Sequence, residues 1–260
     1  MPLPLFQPSE DPGSNFNEFI KKMGYLPSYT FPGGSIEVPH GTTCVALRFV
    51  EGVVIAGDRR ATAGNRIANR DMEKVVQTDD FSAVAIAGAA GRAMEMIKIF
   101  ALSLEHYEKI EGRRLSLEGK ANQLSSMVRD NMSAAMSGLG VLPLFAGFDE
   151  HDSQGRIWSY DGTGGRYEEH EYAAIGSGSD YAGTVVKVGW KSDLNETAAI
   201  NLACRALWEA AEADSATGGP DGLRNIYPIV ALIDQNGWRR INNSDLAEIF
   251  TSIAQEMRTR

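Results

Sequence analysis

Seven of the ten prolines in this 260-residue chain fall within its first forty residues, at Pro2, Pro4, Pro8, Pro12, Pro27, Pro32 and Pro39. Proline has no amide hydrogen to donate and a nearly fixed φ, so it resists helix interiors and central strands alike. Residues 1–41 therefore read as an extended or partly disordered leader. Its one structured candidate is a short helix over 16–23, where Phe16, Phe19, Ile20 and Met23 recur at helical spacing. At Thr42 the texture changes abruptly, and the sequence able to build a core lies beyond that point.

From there, TTCVALRFV and VVIAGD (53–58) predict a hairpin of two buried strands turning at Gly52. KVVQT (74–78) and FSAVAIAG (81–88) predict a second, turning at Asp79–Asp80. Two long helices are expected over 91–111 and 117–136, the second capped by Ser116. Strands at 142–150, 155–161 and 166–176 follow, then helices at 180–189 and 196–213. Residues 229–241 read as a hairpin with an Asn-Gly turn at 236–237, and a helix over 243–257 closes the chain. Strands and helices come in blocks rather than alternating singly. That order favours an α+β fold of antiparallel sheets with segregated helices over a doubly wound parallel sheet.

Hydrophobic residues make up 43% of the chain and charged residues 23%, enough to bury a core without disulfides or metal. A net charge of −9 argues against a nucleic-acid partner. Cys44 and Cys204 are the only cysteines and the four histidines are scattered, so neither a metal site nor a bound cofactor is expected. No apolar run reaches the ~18 residues of a membrane span. The opening MPLPLFQPSEDPG lacks the basic-then-apolar order of a secretory signal, so a cytoplasmic location is expected. The glycine-rich stretches GTGG (162–165), GSGS (176–179) and TGGPDG (217–222) match no phosphate or dinucleotide loop, and no GxSxG elbow occurs.

Leader and core meet at Gly41–Thr42. Cleavage there would leave Thr42 with a free α-amine beside its own hydroxyl. A threonine hydroxyl is a weak nucleophile until a base takes its proton. An α-amine, with a reference pKa of ~7.7–8.0, suits that task near neutrality. On the junction alone, Thr42 reads more simply as the start of a strand, where β-branched residues are favoured. Cys44, two residues on, reads either as a rival nucleophile or as a small buried hydrophobe.

Six features decide between these: GTTCVAL (41–47), GVVIAGDRRATAG (52–64), Lys74, AIAGAAG (85–91), GSGS (176–179) and EADSATGGPD (212–221). In this order and spacing they resemble proteasome β-subunits, most closely the actinobacterial type. The resemblance implies an N-terminal-nucleophile hydrolase fold, a four-layer αββα sandwich with two antiparallel sheets between helix layers. It implies a threonine-type endopeptidase made as an inactive precursor, with 1–41 a propeptide, 42–260 the catalytic domain, and autocatalytic cleavage between Gly41 and Thr42. It also implies partners: α-subunits and other β-subunits in stacked heptameric rings, a separate ring-shaped ATPase, and unfolded or tagged proteins as substrates.

Carried over by position, the resemblance makes Thr42 the nucleophile, Lys74 the catalytic lysine and Asp58 its carboxylate partner. Gly88 supplies a backbone N–H to the oxyanion hole. Ser177, Asp214 and Thr217 hold the α-amine, with Thr217 where many relatives carry serine. Thr62 and Gly88 would pair with an extended substrate, and Ala61, Met72, Val76, Ala90 and Met94 would line an apolar P1 pocket. Taken singly, each has an ordinary alternative. Asp58 could cap the turn at Arg59–Arg60, Lys74 could be a solvated charge, Ser177 a helix N-cap, Asp214 a helix-end residue, and the pocket residues core packing.

Overall fold

The computed structural model describes residues 41–259; the helix expected over 16–23 lies outside them. The strands are β1 (Thr43–Phe49), β2 (Gly52–Gly57), β3 (Ala61–Ala63), β4 (Arg66–Asn69), β5 (Val75–Asp79), β6 (Ser82–Gly88), β7 (Val141–Asp149), β8 (Gln154–Tyr160), β9 (Arg166–Glu169), β10 (Tyr172–Gly176), β11 (Ile229–Asp234) and β12 (Gly237–Arg240). The helices are α1 (Ala90–Glu111), α2 (Leu117–Asp130), α3 (Met132–Met136), α4 (Ser179–Gly189), α5 (Glu196–Ala213) and α6 (Asn243–Arg258). Two five-stranded sheets result, in the orders β10-β1-β2-β11-β12 and β5-β6-β7-β8-β9, and every pairing in both is antiparallel.

Alternation along each strand distributes its side chains between two apolar layers. On β1, Val45, Leu47 and Phe49 join Ala182 and Val186 of α4, Leu207 of α5 and Phe250 of α6. Cys44 and Ala46, on the other face, meet Ala83, Ala85 and Leu144 of the second sheet. β6 repeats the pattern in mirror sense, with Val84 and Ile86 turned toward Ile97 and Phe100 of α1 and Leu124 of α2. Strands apolar on both faces therefore read as continuous hydrophobic runs, as VVIAG and AVAIAG do. Among the described residues, no helix is long and apolar enough to cross a membrane.

Several local expectations need correction. The segment 166–176 is two strands in different sheets: β9 pairs with β8 and β10 with β1, and the chain crosses between sheets at His170–Glu171. Arg156 holds Glu168 of β9 through two hydrogen bonds of 2.7 Å, which ties that strand to β8. The helix expected over 117–136 is interrupted at Asn131, whose side-chain amide turns to donate to the carbonyl of Leu139 at 3.4 Å. The β3–β4 hairpin, turning at Gly64–Asn65, was not expected. The turns of the first two hairpins are Val50–Glu51 and Asp80–Phe81. The last turn is Gln235–Asn236, with Gly237 opposite Asp234 and Asp234 accepting from the Asn236 amide at 2.6 Å. The Ser116 cap forms as expected, accepting from the Gly119 amide at 3.1 Å.

Candidate active site

Strand register brings the separated motifs together. Thr43 lies opposite Gly176 and Cys44 opposite Gly57, so the start of β1 faces Ser177 just beyond β10 and Asp58 just beyond β2. Lys74 precedes β5, and its carbonyl accepts from Ile86 near the end of β6 at 3.0 Å. Asp214 ends α5, and Thr217 follows in the next turn.

Gly41 is joined to Thr42 in this structure, so the Thr42 nitrogen is a peptide nitrogen. The Thr42 hydroxyl donates to the Gly41 carbonyl oxygen at 2.6 Å, and the Lys74 ammonium donates to the same oxygen at 2.7 Å. Lys74 also donates to Asp58 Oδ1 at 2.7 Å and to the Arg60 carbonyl, which uses all three donors of an ammonium. Lys74 is 1% exposed and Asp58 is fully buried, so this is an internal ion pair and not a solvated charge. Isolated buried carboxylates are costly. Asp58 is satisfied by three further donors, the amides of Thr43 at 2.8 Å, Arg60 at 2.9 Å and Gly218 at 2.8 Å. It therefore caps the Arg59–Arg60 turn and holds Lys74 at once.

A second arm reaches the Thr42 nitrogen. That N–H points at Ser177 Oγ at 3.4 Å, and Ser177 donates to Asp214 Oδ2 at 2.5 Å. Asp214 also accepts from Thr217 Oγ1 at 2.6 Å and from the Ala216 amide at 3.0 Å. Partial burial disfavours its ionised form, but the Ser177, Thr217 and Ala216 hydrogen bonds and the Lys74 charge outweigh this and hold Asp214 below the usual carboxylate range. Ser177 caps no helix, because the N-cap of α4 is Gly178.

Gly88 ends β6 with φ of +105° immediately before α1, and a Cβ there would lie 2.2 Å from the Gly140 carbonyl oxygen. The 22-residue α1 opens at Ala90 with no acidic residue in its first turn, so the positive end of its dipole is left uncompensated beside Thr42. A small cavity lined by Gly41, Thr42, Ala61, Met72, Lys74, Gly88 and Ala90 collects most of the expected pocket residues. Val76 and Met94 do not line it; they pack, half-buried, against the apolar cluster between α1 and the second sheet. Thr62 lies on β3, its hydroxyl 3.5 Å from the Ala216 carbonyl. Cys44 is fully buried, and burial above all pushes its thiol up to about 12.

Three contributors escaped sequence reasoning. Thr43 is buried with its hydroxyl 2.6 Å from Thr217 Oγ1, and Arg60 and Gly218 act through their backbones. Nothing in the sequence separates Thr43 from an ordinary β-branched strand residue.

The Thr42 hydroxyl thus sits at the opening of β1 beside a buried lysine–carboxylate pair, on a fold of two five-stranded antiparallel sheets. The family model for proteasome subunits matches residues 38–222. A proteasome subunit beta of Acidimicrobium ferrooxidans is 56% identical over 260 residues, spanning 99% of this chain and 95% of its own length. One from Streptomyces griseus is 56% identical over 222 residues, covering 85% of this chain and 79% of its own. One from Jonesia denitrificans is 49% identical over 251 residues, covering 94% and 83%. The chain belongs to the proteasome subunit family.

Proposed function

We propose that this chain is the catalytic β-subunit of a proteasome core particle, a threonine-type endopeptidase that releases its own nucleophile. Residues 1–41 are its propeptide and 42–260 its catalytic domain, folded as the four-layer αββα sandwich of N-terminal-nucleophile hydrolases. The observation that carries this is the convergence of the Thr42 hydroxyl and the Lys74 ammonium on the carbonyl oxygen of Gly41.

In the uncleaved chain the hydroxyl donates a hydrogen bond to that carbonyl oxygen. Attack requires Oγ1 to turn toward the carbonyl carbon and pass its proton, relayed by a water, to the departing Thr42 nitrogen. The Oγ1–C bond then forms, the bond from that carbon to the Thr42 nitrogen breaks, and the nitrogen takes up a proton to become the amine. Water hydrolyses the resulting ester, freeing the leader's carboxylate and regenerating the hydroxyl. Lys74 and the Gly88 N–H, at the positive end of α1, stabilise the oxyanion; a donor of this kind is worth ~2.7–4 kcal/mol. In the mature enzyme the same steps run on a substrate peptide, with the Thr42 amine as base, oriented by Ser177 and Asp214.

Gly41 suits the cleavage position, since a Cβ there would meet Ala216 Cβ at 2.9 Å and its carbonyl oxygen at 3.0 Å. Assembly into stacked heptameric rings with α-subunits accords with the exposed Ile99 and Leu102 on α1 and Met136 on α3. A ring-shaped ATPase, as a separate cytoplasmic partner, would deliver unfolded or tagged chains. Thr42→Ala tests the proposal: co-assembled with α-subunits and free of other proteases, it keeps residues 1–41 and hydrolyses no peptide, while the wild type loses the leader as activity rises. Loss of the leader at Gly41 from Thr42→Ala particles at the wild-type rate would refute self-cleavage.

A further inference from the structure

The geometry points to Thr43 as a positioning residue whose hydroxyl terminates and orients the hydrogen-bond chain that holds the Thr42 nitrogen. This inference rests on the threonine-peptidase proposal and assigns a new member to that site.

The direction of each hydrogen bond follows from counting protons. Asp214 is held below the usual carboxylate range, so near neutrality it only accepts. Thr217 has one hydroxyl proton and places it on Asp214 Oδ2 at 2.6 Å. The Thr43–Thr217 contact, also 2.6 Å, therefore runs with Thr43 donating and Thr217 accepting. Ser177 likewise gives its proton to Asp214 at 2.5 Å, which leaves a lone pair for the Thr42 N–H. The chain reads Thr43 to Thr217 to Asp214, with Ser177 donating to the same oxygen and receiving the nucleophile's nitrogen. A hydroxyl that accepts a hydrogen bond becomes a stronger donor, so Thr43 tightens the hold of Thr217 on Asp214. Through its amide, Thr43 also donates to Asp58 at 2.8 Å and so joins both arms of the site.

A second feature concerns the same pair of hydroxyls. Gly178 has a φ of −93°, which any residue adopts. A Cβ on it would nonetheless lie 2.3 Å from Thr43 Oγ1 and 2.8 Å from Thr217 Oγ1. Glycine at 178 thus keeps open the space that the two hydroxyls occupy.

The charged groups around Asp214 are Lys74, itself matched by Asp58, the Arg60 guanidinium on the adjacent Ser215 carbonyl, and the Thr42 amine after cleavage. Removing the Thr43 hydroxyl weakens donation to the ionised carboxylate alone. The less neutralised carboxylate then favours the ammonium form of the Thr42 amine, and the acid limb of the pH–rate profile, which reports that base, moves upward.

The experiment compares assembled wild-type, Thr43→Ala, Thr43→Ser and Gly178→Ala particles, using a fluorogenic peptide across pH. Thr43→Ala is expected to lower kcat/KM by roughly three- to tenfold, the range of one hydrogen bond, mostly in kcat. Its acid limb is expected to move to higher pH, with Thr43→Ser restoring both and Gly178→Ala reproducing the defect. An unchanged acid limb in Thr43→Ala, or a Thr43→Ser particle that behaves like Thr43→Ala, overturns the assignment. If Thr43→Ala does not assemble, an unchanged acid limb in Gly178→Ala overturns it. A wild-type particle without Thr42-dependent hydrolysis overturns the peptidase proposal and this assignment with it, whereas Thr42-dependent turnover beside an unshifted Thr43→Ala overturns this assignment alone.

Discussion

Lys74 is surrounded by oxygen on three sides, and its removal has separable effects on stability and chemistry. Losing one partner of a buried ion pair generally costs ~3–5 kcal/mol because the other charge is stranded. Here the amides of Thr43, Arg60 and Gly218 still donate to Asp58, so Lys74→Ala is expected to fold and assemble. Without the ammonium on the Gly41 carbonyl, both leader removal and peptide hydrolysis should fall by at least about a thousandfold. Mass spectrometry of the chain and a fluorogenic assay read the two losses, and wild-type turnover would remove Lys74 from the mechanism. Cys44 offers the opposite case. Burial pushes the Cys44 thiol up to about 12, which keeps it protonated near neutrality, and Cys44 and Cys204 are both buried. Native particles treated with iodoacetamide should keep full activity and take up label at these positions only after denaturation. Inactivation by stoichiometric labelling of Cys44 would reinstate the thiol as nucleophile.

At the scale of elements, α2 is fastened to the β5–β6 hairpin by an ion pair far from the chemistry. Lys120 Nζ lies 2.5 Å from Asp79 Oδ2, and Lys120 is buried. The other Asp79 oxygen accepts from the Phe81 amide at 2.9 Å and the Ser82 hydroxyl at 2.7 Å. Lys120→Met keeps the aliphatic stem and deletes the charge. It should lower the unfolding free energy of the precursor subunit by about 2–4 kcal/mol in a denaturant titration, with peptide hydrolysis by assembled particles unchanged. A variant as stable as the wild type would show that packing of the stem, and not the ion pair, holds α2 in place. The two-sheet path of 166–176 belongs to this scale too. Alternation of period two continues through both strands, so it carries no mark of the crossing at His170–Glu171.

For the whole molecule, the cavity beside Thr42 has Ala61, Met72 and Ala90 in its lining, and its only charged lining residue among the described residues, Lys74, is already paired with Asp58. A substrate charge buried there would find no partner, at a cost of several kcal/mol. Assembled particles should therefore cleave after tyrosine at least about tenfold faster than after arginine or glutamate in matched fluorogenic peptides. Fastest cleavage after either charged residue would reassign the pocket.

Much of this protein was legible in its sequence because local chemistry specified it. The strand opening beside Thr42 and the block order of an α+β fold rest on residues adjacent in the chain. The motifs around Asp58, Lys74, Gly88 and Asp214 were visible as family features. Their convergence was not, because it depends on pairings such as Thr43 with Gly176 and Cys44 with Gly57 that join distant segments. Tertiary structure alone decided that Lys74 is buried, that Ser177 faces the Thr42 nitrogen and caps no helix, and that Val76 and Met94 stand back from the cavity. It also decided the place of Thr43. The composition of a strand fixes which residues alternate, but what each face meets is set by the sheet or helix packed against it.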